Sequence, residues 1–203
     1  MGKFYSENNL DAYIREELFP DYTYQGIMVE VGGGLPDSLS CSKHFREHGW
    51  RTIVFEPNPY FYELFLEQNI ECYNFACSDK DEQDVDFSVC ENNSGLSFSS
   101  LEIRYDSFHP ASMPISKVKV NTTRLDTFFK RKKIKKIDFM TIDTEGWELE
   151  VVSGFDSSQV DCKYIILENY QNNSNYDSIM GEIGYEKIHK INYDHIFSKV
   201  YPS

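Results

Sequence analysis

Residues 26–40 read GIMVEVGGGLPDSLS, and the reading of the whole chain starts from this stretch. Residues 27–31 are apolar except for Glu30. So short and apolar a run predicts a strand buried on both faces, central in a parallel sheet. Gly32, Gly33 and Gly34 follow at once. Glycine permits positive φ and lets a ligand approach the main chain closely. Asp37 or Ser38 then opens a helix through Ser40, Phe45 and His48, with Pro36 near its first turn. Strand, glycine-rich turn and helix N-terminus form a nucleotide-type site at the carboxyl edge of an α/β sheet. The turn does not follow G-x-G-x-x-G strictly, because Asp37 occupies the last position. Glu30 is costly inside a buried strand unless it meets a cation or hydrogen-bond donors.

Composition narrows the field. A chain of 203 residues with 40% hydrophobic content fits one domain, residues 1–203, with a full core. The net charge of −13 argues against nucleic acid as the main partner, since phosphate binding needs a basic face. The one basic run, KRKKIKK at residues 130–136, reads as a solvated helix end. The five cysteines are odd in number and show no C-x-x-C spacing, which fits free thiols in a reducing, cytoplasmic setting. No apolar run approaches the length of a membrane span.

Periodicity orders the rest. Residues 7–19 read as an amphipathic capping helix with Leu10, Tyr13, Ile14, Leu18 and Phe19 on one side. Strands are expected at residues 51–55, 70–75, 137–142 and 163–167, alternating with helices at 60–68, 125–133, 147–153 and 176–182. This alternation predicts right-handed crossovers and a mostly parallel sheet. Residues 185–191 and 195–201 form a closing antiparallel hairpin. Residues 85–89 and 117–123 are extra short strands. Between them, residues 91–116 are rich in Ser and Asn and read as a lid or substrate loop.

The carboxyl ends of the strands carry Gly32 to Gly34, Glu56, Ser78, Asp79, Asp143, Glu145, Glu168 and Asn169, which a doubly wound sheet projects into one crevice. Glu56 lies 22 residues after Gly34, where a carboxylate accepts hydrogen bonds from both ribose hydroxyls of an adenosine cofactor. Nicotinamide cofactors and S-adenosylmethionine share that feature. An acidic crevice suits a cationic sulfonium better than a pyrophosphate.

Five blocks then carry a resemblance: VEVGGG, FEPNPYFYEL, ACSDKD, VNTTRLDTFF and IDFMTIDTEGWELEVVSGF. In this order they resemble the FkbM family of S-adenosylmethionine-dependent methyltransferases, over roughly residues 26–169. The resemblance implies a Rossmann-like class I methyltransferase fold. Its seven-stranded sheet has the order 3-2-1-4-5-7-6, with helices on both faces. It implies O-methylation, often of sugars or other small hydroxylated compounds. By motif position, Glu30 and Gly32 to Gly34 hold the methionine end of the cofactor. Glu56 with the adjoining Pro57 holds the ribose, Cys77, Ser78 and Asp79 lie near adenine, and Asp143 borders the same site. Thr141 and Thr144 depart from the family pattern, which usually shows Lys and Val there.

The expected activity is methylation of a sugar or glycan hydroxyl. The alternatives are another small hydroxylated metabolite, an NAD-linked oxidoreductase, and a catalytically silent module. Three accounts of hydroxyl activation stay open. Asp143, Glu168 and Asn169 end neighbouring strands and resemble the oxygen ligands of catechol O-methyltransferase, which suits Mg²⁺ or Mn²⁺. Without metal, Asp143 or Glu168 serves as general base, its pKa raised by the other carboxylate. In the third account the base is His109, in the loop.

Overall fold

The computed structural model describes residues 2–90, 99–101 and 115–201. Its strands are β1 (Ile27–Val31), β2 (Arg51–Phe55), β3 (Cys72–Tyr73), β4 (Ala76–Cys77), β5 (Val85–Cys90), β6 (Ile115–Val120), β7 (Thr122–Thr123), β8 (Lys136–Ile142), β9 (Asp161–Glu168), β10 (Tyr185–Ile191) and β11 (Asp194–Lys199). Its α-helices are α1 (Leu10–Tyr13), α2 (Cys41–Glu47), α3 (Pro59–Glu67), α4 (Leu125–Lys132), α5 (Glu148–Ser153) and α6 (Asn175–Glu182). The central sheet has seven strands in the order β10-β11-β9-β8-β1-β2-β3. β1 pairs in parallel with β2 and β8, and β8 with β9. β11 runs antiparallel to β9 and β10, as the closing hairpin requires.

Strand alternation divides the core between the two faces of the sheet. Val29, Val31, Met140 and Ile165 turn to one face, against Phe128 and Phe129 of α4, Val151 of α5 and Met180 of α6. Met28, Phe139, Ile166 and Ile196 turn to the other, against Leu10, Ile14, Phe19, Phe45 and Trp50. Period 2 in the strands thus explains why helices cover both faces.

The N-terminal helix of the sequence reading is a composite. A 3-10 turn (Glu7–Asn9) leads into α1, and a π-helical turn (Ile14–Leu18) follows it. Asn8 and Asn9 have positive φ, which breaks the regular helix at its start. Strand and helix boundaries elsewhere move by a few residues. The largest shift is at α2, which begins at Cys41 rather than at Asp37 or Ser38. Leu39 has φ +58°, so the chain cannot enter the helix before it. The expected strand 70–75 is cut to two ladder residues, because Ala76 and Cys77 leave β2 to pair with β7.

Most of the expected lid lies outside the described residues. The described part is tied into the fold, and residues 99–101 border the crevice at the strand ends. Residues 115–116 open β6, and Ser100 exchanges backbone hydrogen bonds with Ser88 at 3.0 and 3.1 Å. The basic run at 130–136 is a solvated helix end with Ile134 alone turned inward. Cys41, Cys72, Cys77 and Cys162 are buried free thiols. Among the described residues, no helix is long and apolar enough to cross a membrane.

Candidate active site

The carboxyl ends of β1, β2, β8 and β9 open into one cavity of about 510 Å³. That volume lies within the range of about 300–1,000 Å³ seen for small-molecule sites. Its floor is the glycine turn. Gly32 has φ +87°, and a Cβ there would lie 1.8 Å from the Asp143 carbonyl, so only glycine lets β1 and β8 end side by side. Gly34 has φ +54°, and nothing lies within 4 Å of its missing Cβ. The main chain at Gly34 is therefore open to a ligand.

Glu56 stands over this turn. Gly34 N–H donates to its Oε2 and Asn58 N–H to its Oε1, both at 2.7 Å. The carboxyl is 4% exposed, and burial pushes it up to about 8 against the pull of those two donors. Pro57, Phe61, Phe75, Ala76 and Cys77 complete this end of the cavity.

Two sequence expectations are corrected here. Glu30 does not line this cavity. It shares the Met28 face of β1, so its carboxylate meets the start of α2 and accepts from Cys41 N at 2.7 Å, Ser42 N at 3.2 Å and Ser42 Oγ at 2.5 Å. Those donors compensate for its burial, and the requirement that suggested a ligand is met within the protein. Ser78 and Asp79 also lie off the cavity lining. Ser78 Oγ accepts from Trp147 Nε1 at 3.2 Å, and its carbonyl packs where a Cβ on Gly154 would fall, at 2.1 Å. Of that expected trio, Cys77 lines the cavity.

The opposite end is acidic. Asp143, Glu148 and Glu168 each present a carboxylate oxygen within 4.8 Å of the others. Glu168 donates a hydrogen bond to Asp143; the Asp143 charge raises the proton affinity of Glu168, whereas the hydrogen bond from Glu168 lowers that of Asp143. For Glu168 the charge on Asp143 is the main upward cause; for Asp143 it is desolvation, followed by Glu148. Asp143 lies deep in the fold, yet its side chain is exposed to the open cavity, where water screens it. Both groups stand above the usual carboxylate range, with the proton on Glu168.

Asn169 is not part of this group. Its Oδ1 accepts from Asn173 N at 2.8 Å and its Nδ2 donates to Asn173 O at 2.9 Å. Asn169 lines the cavity, with one lone pair of its Oδ1 and its amide nitrogen engaged in that turn. Glu148 stands in its place. Its Oε1 accepts from Thr144 N at 2.9 Å and Gly146 N at 3.0 Å, and its Oε2 accepts from Tyr176 Oη at 2.8 Å. The DTEG loop is thus held by a carboxylate reaching back from α5, and Glu145 keeps φ +57° within it. His109 lies outside the described residues. His195 is buried in β11 and does not line the cavity.

Sequence reasoning missed Glu148, Glu7, Tyr170 and Tyr193, all of which line the cavity. Glu148 had a legible signal as an acid in the first turn of a helix after a strand-end loop. Tyr193 had none, because the hairpin turn reaches the cavity only through tertiary packing.

No curated protein sequence matches the chain. The profile of the Methyltransferase FkbM domain matches residues 29–193, from β1 through the turn of the closing hairpin. With most of its length and all four strand ends of this cavity inside that match, the chain belongs to the FkbM methyltransferase family.

Proposed function

We propose that the protein is an S-adenosylmethionine-dependent O-methyltransferase acting on a hydroxyl of a sugar or glycan. One observation carries the reading. Asp143 and Glu168, sharing a proton, lie in the same cavity as the glycine turn and Glu56, and no Lys, Arg or His lines that cavity among the described residues. Such a lining favours a cationic cofactor and a polar acceptor without negative charge. Family membership makes the protein a methyltransferase, so the nicotinamide alternative is set aside. Counted within the central sheet alone, the strand order reads 3-2-1-4-5-7-6, which supports the class I methyltransferase assignment.

The residues present fit the cofactor. Open space over Gly34 is a cradle that a side chain would fill. Glu56 retains lone pairs beyond the two that Gly34 and Asn58 use, and these suit ribose hydroxyls. Gly32 to Gly34, Glu56, Pro57 and Cys77 would hold the cofactor, with Asp143 at its charged end. When bound, S-adenosylmethionine supplies an electrophilic methyl on a sulfonium.

Asp143 takes the acceptor's proton as oxygen attacks, its basicity raised by burial and by Glu148. Glu168, holding its own proton, donates to Asp143 and fixes its orientation. His109 remains a competing base. A second reading keeps the metal: the three carboxylate oxygens of Asp143, Glu148 and Glu168 suit Mg²⁺ or Mn²⁺. The test is product analysis with candidate glycosides, before and after exhaustive chelation. Full turnover without metal supports the carboxylate base. Loss restored by Mg²⁺ supports the ion. No methylated glycoside under any condition rejects the acceptor class.

A further inference from the structure

Across the cavity from Glu56, two tyrosines from different loops meet. Tyr170 follows β9, and Tyr193 sits in the turn between β10 and β11. Their ring centroids are 4.5 Å apart with planes inclined at 48°, and both line the cavity. Tyr193 is 42% exposed. The hairpin does not need that ring for its core, which Ile196 and Phe197 supply.

The two loops are fastened together. Asn169 N donates to Tyr193 O at 2.8 Å, and the Asn169 side chain closes the turn onto Asn173. Lys190 Nζ donates to Asn172 Oδ1 at 2.7 Å. Asn169 is 1% exposed, so its part of this clamp is shielded from water, while the Lys190–Asn172 bond lies at the surface. A preformed wall costs little ordering when a ligand binds.

We infer that Tyr170 and Tyr193 form the acceptor subsite, a stacking platform for the C–H face of a pyranose ring. The inference rests on the hydroxyl-methylating reading of this cavity and narrows it to a cyclic sugar. The π face of tyrosine is negative, and the C–H groups on one face of a pyranose are weakly positive, so the two surfaces match. A ring lying there turns its hydroxyl edge toward Asp143 and Glu168, which border the same cavity. Gln171 and Asn173 also border it and supply amide groups for the remaining hydroxyls. An anionic ligand finds no Lys, Arg or His in the lining among the described residues.

The test uses the full chain saturated with S-adenosylhomocysteine. Methyl β-glucopyranoside, methyl β-galactopyranoside and methyl α-mannopyranoside serve as probes in saturation-transfer NMR, with tetramethylammonium as a cationic comparison. At least one glycoside should show saturation concentrated on the C–H protons of one face. Tyr193→Ala should weaken it by about tenfold, and Tyr193→Phe should restore it. Tyr170→Ala should act in the same direction. Melting temperature and S-adenosylhomocysteine affinity should stay unchanged in Tyr193→Ala, because that ring is exposed and lies away from Glu56. Glycoside binding that persists undiminished in both alanine variants overturns the platform and leaves the sugar reading intact. No binding of any glycoside to the unaltered chain overturns both. Tetramethylammonium bound at the pair with no glycoside bound replaces sugar recognition by cation recognition.

Discussion

Glu56 and Glu168 both end parallel strands of one sheet and border one cavity, and the fold surrounds them differently. Glu56 faces main-chain donors from Gly34 and Asn58. Those donors fix its geometry, and with no counter-ion beside it among the described residues, burial raises its affinity for a proton. Glu168 faces another carboxyl, so Asp143 and Glu168 are stable when one proton lies between them. The first arrangement suits recognition of neutral hydroxyl groups by a fixed acceptor. The second suits movement of a proton, because Asp143, the member without the proton, has its basicity raised to about 7. Loop conformation makes the difference: the glycine turn after β1 and the loop after β2 each aim an N–H at Glu56, whereas the DTEG loop has Thr144 and Gly146 N–H occupied by Glu148.

The largest effect expected from breaking this contrast is on chemistry. Asp143→Asn removes the carboxylate that we propose as the base and should lower methyl transfer on the order of 10²–10⁴-fold in a single-turnover assay. Glu168→Gln keeps a donor toward Asp143 and should cost less. A greater loss in Glu168→Gln than in Asp143→Asn would reverse the roles assigned to the pair.

At the other end the effect falls on binding. Glu56→Ala should weaken S-adenosylhomocysteine by about 2–4 kcal/mol, the scale of the two ribose hydrogen bonds it would lose. Calorimetry measures it, and unchanged affinity would remove Glu56 from the cofactor site. Gly34→Ala should cost about 1–2 kcal/mol of stability, since φ +54° is left-handed and no clash adds to it. Denaturant unfolding checks this value, and a neutral result would mean that the turn relaxes.

A further expected effect concerns pH. Glu56 has its folded pKa raised from 4.5 to about 8. Its contribution to stability is therefore full below the unfolded value and lost as pH rises through about 8. The ligand-free protein should melt at progressively lower temperature between those values. Glu56→Gln should flatten part of that slope. A melting temperature that rises over the same interval would contradict the protonated state assigned to this carboxyl.

Much of this was legible beforehand. Local composition marks β1, β2, β8 and β9, because runs such as IMVEV and RTIVF bury both faces in a parallel sheet. Order along the chain then places Gly32 to Gly34, Glu56, Asp143 and Glu168 at one sheet edge, and the cavity does include them. The misplaced residues share a cause. Glu30, Ser78 and Asp79 stand at or near strand ends in sequence, and proximity says nothing about which partner claims a polar side chain. Side-chain parity along β1 puts Glu30 with Met28, toward α2.

The sequence by itself therefore determined the alternation of strands and helices, the glycine turn, and the set of acids gathered at one edge. Each rests on short-range chemistry: strand period, φ preference, and the direction in which parallel strands run. Only the tertiary structure decided that Glu148 reaches back to hold the DTEG loop, that Asn169 closes on Asn173, and that Tyr193 crosses from the hairpin to meet Tyr170. Those contacts depend on how loops from separate strands come to rest against one another, and for Tyr170 and Tyr193 the nearest sequence signal is 23 residues away.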